Sequence, residues 1–181
     1  MTLDNASRLV ADAVVVTCPI PQAVALLAHS ELEVPDAIRT IDYDKTIAAL
    51  IAVEGTTNVP EPGGVQYGDE VFSFVADNQR KGISKNGALT LHANPEFSEQ
   101  HWWNDADVTH RLLLEHARRW VGDAKILDHQ PKRWRMATPR STWPEQCWSQ
   151  QRIVLAGDAF AGPRVEGAVL SGRAAARRLL A

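Results

Sequence analysis

Cysteine is scarce in this 181-residue chain, which has two, Cys18 and Cys147. Two cysteines so far apart do not make a disulfide framework or a CxxC metal site, and their scarcity favours a reducing, cytoplasmic location. The histidines show no HExxH spacing and no tight cluster with carboxylates, so we predict no metal site. A GxSxG nucleophile elbow is also absent, which leaves a hydrolase of that type unsupported.

Long hydrophobic runs and an excess of one charge are lacking too. The formal net charge is −3 with both signs spread along the chain, so no basic stripe indicates a nucleic-acid partner. The apolar run at residues 13–17 has the length of a strand and cannot cross a bilayer. No signal-peptide pattern opens the sequence, and we expect no membrane partner. With 45% hydrophobic residues, the chain can form a sizeable core.

The patterns that are present differ between the ends and the middle of the chain. Residues 13–17 and 153–156 are typical of buried, parallel strands, and residues 22–28 and 165–180 of helices. The middle alternates strand patterns with turn residues, which indicates an antiparallel meander. Its predicted elements are strands at 46–54, 71–76, 88–93, 125–127 and 133–137, and a helix at 107–121 capped by Asp107. A chain that leaves one domain and later returns to it has this order.

The strongest functional signal is IVLAGDAFAGPRVEGAVLSGRAAARRLL, residues 153–180. A predicted strand ends at Gly157 and Asp158, and a helix opens near Glu166, Gly167 and Ala168. An aspartate at the carboxyl end of a strand is placed to accept hydrogen bonds from sugar-type hydroxyls. The N–H groups at a helix start favour negative charge, and small residues allow a close approach. The alternative is an ordinary strand–turn–helix unit with a surface aspartate.

This segment resembles the C-terminal FAD signature of the amine-oxidase superfamily, and most of all that of its renalase-like branch. The resemblance implies FAD as the cofactor, with Asp158 on its ribityl chain and Gly167 and Ala168 at the pyrimidine edge of the flavin. We include the adjacent Gly157 and Glu166 in the expected cofactor-binding set.

Three other segments carry the same resemblance. Residues 11–27, ADAVVVTCPIPQAVALL, resemble a strand of the FAD domain and its proline loop, which adds Pro19 to the expected cofactor contacts. Residues 74–103 resemble the sheet of the substrate domain. Residues 132–139, KRWRMATP, resemble a family segment in which tyrosine is common where Met136 stands here.

The fold class implied is α/β: a partial Rossmann-like FAD-binding domain interrupted by an antiparallel β-sheet substrate domain. Residues 1–40 would supply a strand, the proline loop and a helix of the FAD domain. Residues 41–140 would form the substrate domain, and residues 141–181 the C-terminal strand and helix of the FAD domain.

His92 and Trp134 are the candidates for the substrate cavity. His92 matches a histidine of renalase-like sequences, and Trp134 lies in the segment 132–139. For each of them, a plain position in the hydrophobic core is about equally expected. Trp102, Trp103, Trp143 and Trp148 are better explained as core or domain-edge residues than as stacking platforms.

The function implied is a renalase-type, FAD-dependent oxidoreductase. Hydride would pass from a small-molecule substrate, a dihydro-NAD(P)-like compound, to flavin N5, with oxygen as the acceptor. One departure is large: the GxGxxG turn that holds the pyrophosphate is missing, since no two glycines are separated by one residue. We therefore expect a missing N-terminal FAD-domain segment as a partner. The alternatives are an amine oxidase, and a truncated non-catalytic remnant or subunit that needs a separate GxGxxG-bearing chain.

Overall fold

A computed structural model describes residue 2 and residues 4–180. The chain forms two compact units. The first comprises Met1–Tyr43 and Thr138–Ala181, and the second comprises Asp44–Ala137. These boundaries fall near residues 40 and 140, where the sequence suggested a change of domain. The assignment of the units to an FAD domain and a substrate domain remains a prediction.

Eight strands and five helices follow one another along the described residues. In chain order they are β1 (Val14–Val16), α1 (Ile20–Leu27), α2 (Asp36–Arg39), β2 (Tyr43–Glu54), β3 (Gly64–Gln66), β4 (Phe72–Asp77), β5 (Gly87–Ala93), α3 (Pro95–His101), α4 (Ala106–Val121), β6 (Lys125–Pro139), β7 (Trp148–Gln150), β8 (Ile153–Leu155) and α5 (Val165–Leu180).

The first unit contains a three-stranded sheet in the order β1–β8–β7. Strands β1 and β8 are parallel, with Val15 opposite Val154, which confirms the predicted parallel pair. Strand β7 is antiparallel to β8. The expected burial of β1 on both faces is wrong, because Val15 is 41% exposed. Since β1 lies at an edge of this sheet, only β8 is hydrogen-bonded to it among the described strands.

Helix α5 packs on β8 through its small residues. Ala175 lies in a small buried cluster with Val154 and Ala156, and Ser171 is fully buried. Small side chains allow a helix to approach a strand closely. The helix has the bounds predicted from the sequence.

The second unit contains a five-stranded sheet in the order β3–β4–β5–β2–β6. Its assigned pairs β3–β4, β4–β5 and β2–β5 are antiparallel, which confirms the predicted meander. One sheet face packs against α4 in a hydrophobic core. This core includes Ile47, Ile51, Val75, Leu89, Leu91, Leu113, Ala117 and Trp120.

Two predictions for this unit are corrected. Helix α4 is capped by Asp105, whose carboxylate accepts hydrogen bonds from the N–H groups of Asp107 and Val108, so Asp107 is not the cap. The two strands predicted at 125–127 and 133–137 are one strand, β6. The intervening polar residues and Pro131 disfavour an interior strand, but β6 lies at the edge of its sheet, where such residues are tolerated.

No helix in the described part of the chain is both long enough and apolar enough to span a membrane.

Candidate functional site

A cavity of about 350 Å³ lies in the first unit, beyond the carboxyl ends of β1 and β8. Parallel strands end at the same edge of a sheet, where ligands of open α/β folds bind. Its lining residues are Thr17, Pro19, Ala156, Gly157, Asp158, Ala168 and Gly172. The structure therefore brings together four of the six residues expected to bind cofactor.

The other two, Glu166 and Gly167, do not line this cavity. Glu166 is in the first turn of α5 and exposed to solvent. Gly167 follows it, and its nearest neighbour is the carbonyl oxygen of Gly162. Whether any of the six binds a cofactor remains a prediction.

Gly157 forms the turn that leads from β8 into the cavity wall. Its φ of +138° is rarely adopted by residues with a side chain, so this position requires glycine. The Gly157 N–H donates to Oγ of the buried Ser171 at 2.8 Å. Ser171 thus fixes the backbone beside Asp158. The sequence showed Ser171 only as a small residue on α5, with no sign of this hydrogen bond.

Asp158 is held by a residue that the sequence analysis missed. The hydroxyl of Tyr43 donates to Oδ1 of Asp158 at 3.3 Å. The same hydroxyl accepts a hydrogen bond from the N–H of Ile20, also at 3.3 Å. Tyr43 is 115 residues from Asp158 in sequence, and it begins a strand rich in core residues, so no local pattern indicated the contact.

The conformation of the loop before α5 requires glycine at position 167. Gly162 has a φ of +139°, and a Cβ at Gly167 would overlap the Gly162 carbonyl oxygen. The N–H of Ala168 donates to the carbonyl of Arg164 at 2.9 Å. The expectation of a free N–H at Ala168 for negative charge is therefore wrong, because that group makes the helix's own hydrogen bond.

The two candidates for the substrate cavity lie together in the second unit. The His92 ring, on β5, is 5.1 Å from that of Trp134 on β6 and 5.3 Å from that of Phe74 on β4, between ring centroids. His92 lies on the sheet face opposite the core, because the neighbouring residues on β5 that alternate with it, Leu89 and Leu91, pack in the core. Phe74 and Trp134 contact His92 on that face. The sequence did not single out Phe74.

Burial lowers the pKa of the His92 imidazole, which favours its neutral form. Its Nε2 is buried and has no hydrogen-bond partner among the described residues. Buried polar atoms are normally paired, so an unpaired one is a candidate for contact with a ligand. The core explanation for His92 is weakened, although its role remains a prediction.

A second cavity, of about 360 Å³, lies on the same face of the sheet. Polar groups from three strands or adjoining turns line it, including Asn78, Thr90, Asp128 and Gln130. The Asn78 side chain donates to Oγ1 of Thr90 at 3.0 Å. This face therefore has an aromatic part around His92 and a hydrogen-bonding part around Asn78.

Neither cysteine shows the character of a reactive thiol. Burial raises the pKa of both Cys18 and Cys147, which keeps them protonated at neutral pH. Within the part of the chain that is described, no three or more histidine, cysteine or acidic side chains are grouped to hold a metal ion.

A comparison with protein families gives a match that covers nearly the whole chain. Residues 1–180 match the family described as flavin containing amine oxidoreductase. The chain belongs to this family. The family consists of oxidoreductases that contain a flavin. Its cofactor therefore agrees with the cofactor class expected from the sequence.

Solved structures share the fold at low identity. One is a protein from an Exiguobacterium species predicted to be a protoporphyrinogen oxidase, with a TM-score of 0.63 and 15% identity over 94% of this chain. Another is an oxidoreductase from Methanosarcina mazei, with a TM-score of 0.61 and 16% identity over 92% of this chain. The chain spans 41% and 43% of these two structures. They confirm a mixed α/β fold like that of part of a flavin amine oxidoreductase.

Proposed function

We propose that this chain is part of a renalase-type, FAD-dependent oxidoreductase that oxidises dihydronicotinamide-like compounds. The observation that carries the proposal is the cavity at the ends of β1 and β8. It combines Asp158, a glycine turn at Gly157 and the small residues Ala168 and Gly172 of α5. A carboxylate beside small residues suits a polyhydroxylated chain that must approach the backbone closely.

The residues present fit the ribityl part of FAD. Asp158 would accept hydrogen bonds from ribityl hydroxyls, and Pro19 and Ala168 would pack against the cofactor's apolar surfaces. When bound, the flavin supplies the redox chemistry by accepting hydride at N5. The work of the chain itself is to bind and orient the cofactor and the substrate.

The substrate would bind on the face of the second unit that carries His92, Phe74 and Trp134. Aromatic rings are favourable partners for a planar ring. The neutral form of His92, which burial favours, suits contact with a dihydronicotinamide ring, because that ring is uncharged too. The unpaired Nε2 of His92 can form a hydrogen bond with the substrate. Asn78 and Thr90 offer amide and hydroxyl groups to the remainder of such a substrate. Oxygen would take the electrons in the second half-reaction.

The partner would be a segment that supplies the pyrophosphate-binding turn. Strand β1 has one hydrogen-bonded neighbour among the described strands, and Val15 on it is exposed. An edge strand with an exposed apolar side chain favours the addition of another strand.

The proposal is tested with the chain co-purified with a GxGxxG-bearing segment of the same family. We expect a yellow complex whose flavin is bleached anaerobically by dihydronicotinamide isomers and reoxidised by oxygen. His92→Asn should slow this reduction, and His29→Asn, which changes an exposed histidine, serves as the control. Bleaching by amines alone would instead identify an amine oxidase, and a complex without flavin would refute the cofactor assignment.

A further inference from the structure

We propose that Tyr43 is a positioning residue that orients the Asp158 carboxylate and fixes it to the first turn of α1. This inference rests on the cofactor role proposed for Asp158, but it makes its own claim about Tyr43. The tyrosine side chain does not line the cavity, so its effect on a ligand would pass through Asp158.

The geometry assigns each hydrogen-bonding direction of the Tyr43 hydroxyl. A phenol has one proton to donate and lone pairs to accept. The proton goes to Oδ1 of Asp158, and a lone pair receives the N–H of Ile20. With Oδ1 engaged by Tyr43, the carboxylate's other oxygen, Oδ2, is the one we assign to the ligand.

Ile20 links this network to a second part of the cavity wall. It is the first residue of α1, directly after Pro19, which lines the cavity. The N–H groups of a helix's first turn lack partners within the helix. The side chain of Pro19 provides no cap. Tyr43 therefore substitutes for a cap on α1 while it holds Asp158, so one hydroxyl fixes two parts of the wall.

The protonation state of the Tyr43 hydroxyl suits its role as a hydrogen-bond donor to Asp158. Tyr43 is only 4% exposed. Burial, reinforced by the negative charge of Asp158, raises the pKa of Tyr43 to about 12. The phenol accordingly keeps its proton at physiological pH and remains a donor to the carboxylate.

The chain offers a clean measurement, because it has two tyrosines and the other, Tyr67, is 88% exposed. With tyrosine labelled in this chain alone, its ¹³Cζ signals follow both titrations in the flavin-free complex with the GxGxxG-bearing segment. We expect Asp158→Asn to lower the pKa of Tyr43, since the negative charge is removed, and to leave the Tyr67 titration unchanged. Tyr43→Phe should shift the Ile20 amide signal and increase its hydrogen exchange. A Tyr43 titration that does not respond to Asp158→Asn would overturn the inference.

A separate measurement distinguishes this claim from the proposed function. FAD is titrated into the complex with the GxGxxG-bearing segment, with Tyr43→Phe, Asp158→Ala and the double variant compared. We expect Tyr43→Phe to weaken FAD binding about three- to tenfold, and to have a much smaller effect in the Asp158→Ala background, where only the contact with Ile20 is left to lose. Additive effects would overturn the positioning role. If Asp158→Ala leaves FAD affinity unchanged while the tyrosine titration responds, the proposed cofactor role fails and the Tyr43–Asp158 coupling stands.

Discussion

The carbonyl oxygen of Gly162 lies where the side chain of residue 167 would be, so Gly167 cannot carry a Cβ without a shift of the loop. The obstructing oxygen belongs to the backbone and cannot rotate away as the end of a flexible side chain would. The glycine of the Gly167–Ala168 pair is thus required by the loop that precedes α5, whether or not a cofactor is present.

We predict that Gly167→Ala destabilises the chain by about 1–3 kcal/mol, as expected for overpacking. Gly172→Ala is the matched control in the same helix, because a Cβ added there would meet no described atom within 4 Å. An alanine there should stabilise by up to about 1 kcal/mol through helix propensity. Chemical denaturation measures both. Equal stabilities of the two variants would contradict the close contact with Gly162.

Asp158 should dominate cofactor retention. In the complex with a GxGxxG-bearing segment, we expect Asp158→Ala to weaken FAD binding about ten- to a hundredfold, the value of a lost hydrogen bond to a charged group. Glu31→Ala, which alters an exposed carboxylate of the same unit outside the expected cofactor-binding set, is the control and should have a small effect. Flavin that survives dialysis equally well in the Asp158 variant would contradict the assignment.

The 181-residue chain expressed alone should not hold stoichiometric FAD. The pyrophosphate of FAD needs the N–H groups of a glycine-rich turn and helix start, and the sequence contains no GxGxxG turn. The exposed edge at β1 also favours association with other chains. We expect a colourless, oligomeric or poorly soluble preparation. A monodisperse yellow monomer with one FAD per chain would refute this prediction.

Stability should decrease as the pH falls below neutrality. Burial lowers the pKa of His92, and burial and the nearby His129 lower that of His110. A histidine with a lowered pKa in the folded state binds fewer protons than it does when unfolded, so unfolding is favoured as the pH falls below about 6.5. His110→Gln should reduce the dependence of the unfolding free energy on pH between about 7 and 5. An unchanged slope would contradict the burial of these imidazoles in their neutral form.

Much of the fold was predictable because its signals are local. The β-branched residues of β1 and the small residues of α5 indicated a parallel strand and its packed helix. The spacing of the strand patterns in the middle of the chain, with turn residues between them, indicated the meander. The short elements α2, α3, β3 and β7 were missed, since a few residues provide little periodicity. The single strand β6 was divided in two because its polar centre depends on an edge position that only the sheet order defines.

The cavity beyond β1 and β8 was predictable only in part, again because one sequence shows local signals alone. Asp158 and Gly157 stand in one motif, and the family resemblance added Pro19; all three line the cavity, while their role with a cofactor stays a prediction. The contacts of Tyr43 with Asp158 and of Phe74 with His92 join separate segments, which one sequence does not reveal. The helix start was wrongly interpreted at Ala168, because its N–H group bonds to Arg164, and the loop conformation that allows this was not visible in the sequence.

The points at which the chain leaves and re-enters the first unit are tied together. The N–H of Arg140 donates to the carbonyl of Asp42 at 2.8 Å, and their side chains form an ion pair at 3.7 Å. The ends of the inserted segment therefore start and finish at one place in the backbone. For a protein engineer, this permits residues 44–137 to be replaced by a short linker or by the corresponding segment of a relative. For evolution, the inserted segment could be exchanged as a whole while the unit that encloses it is inherited intact.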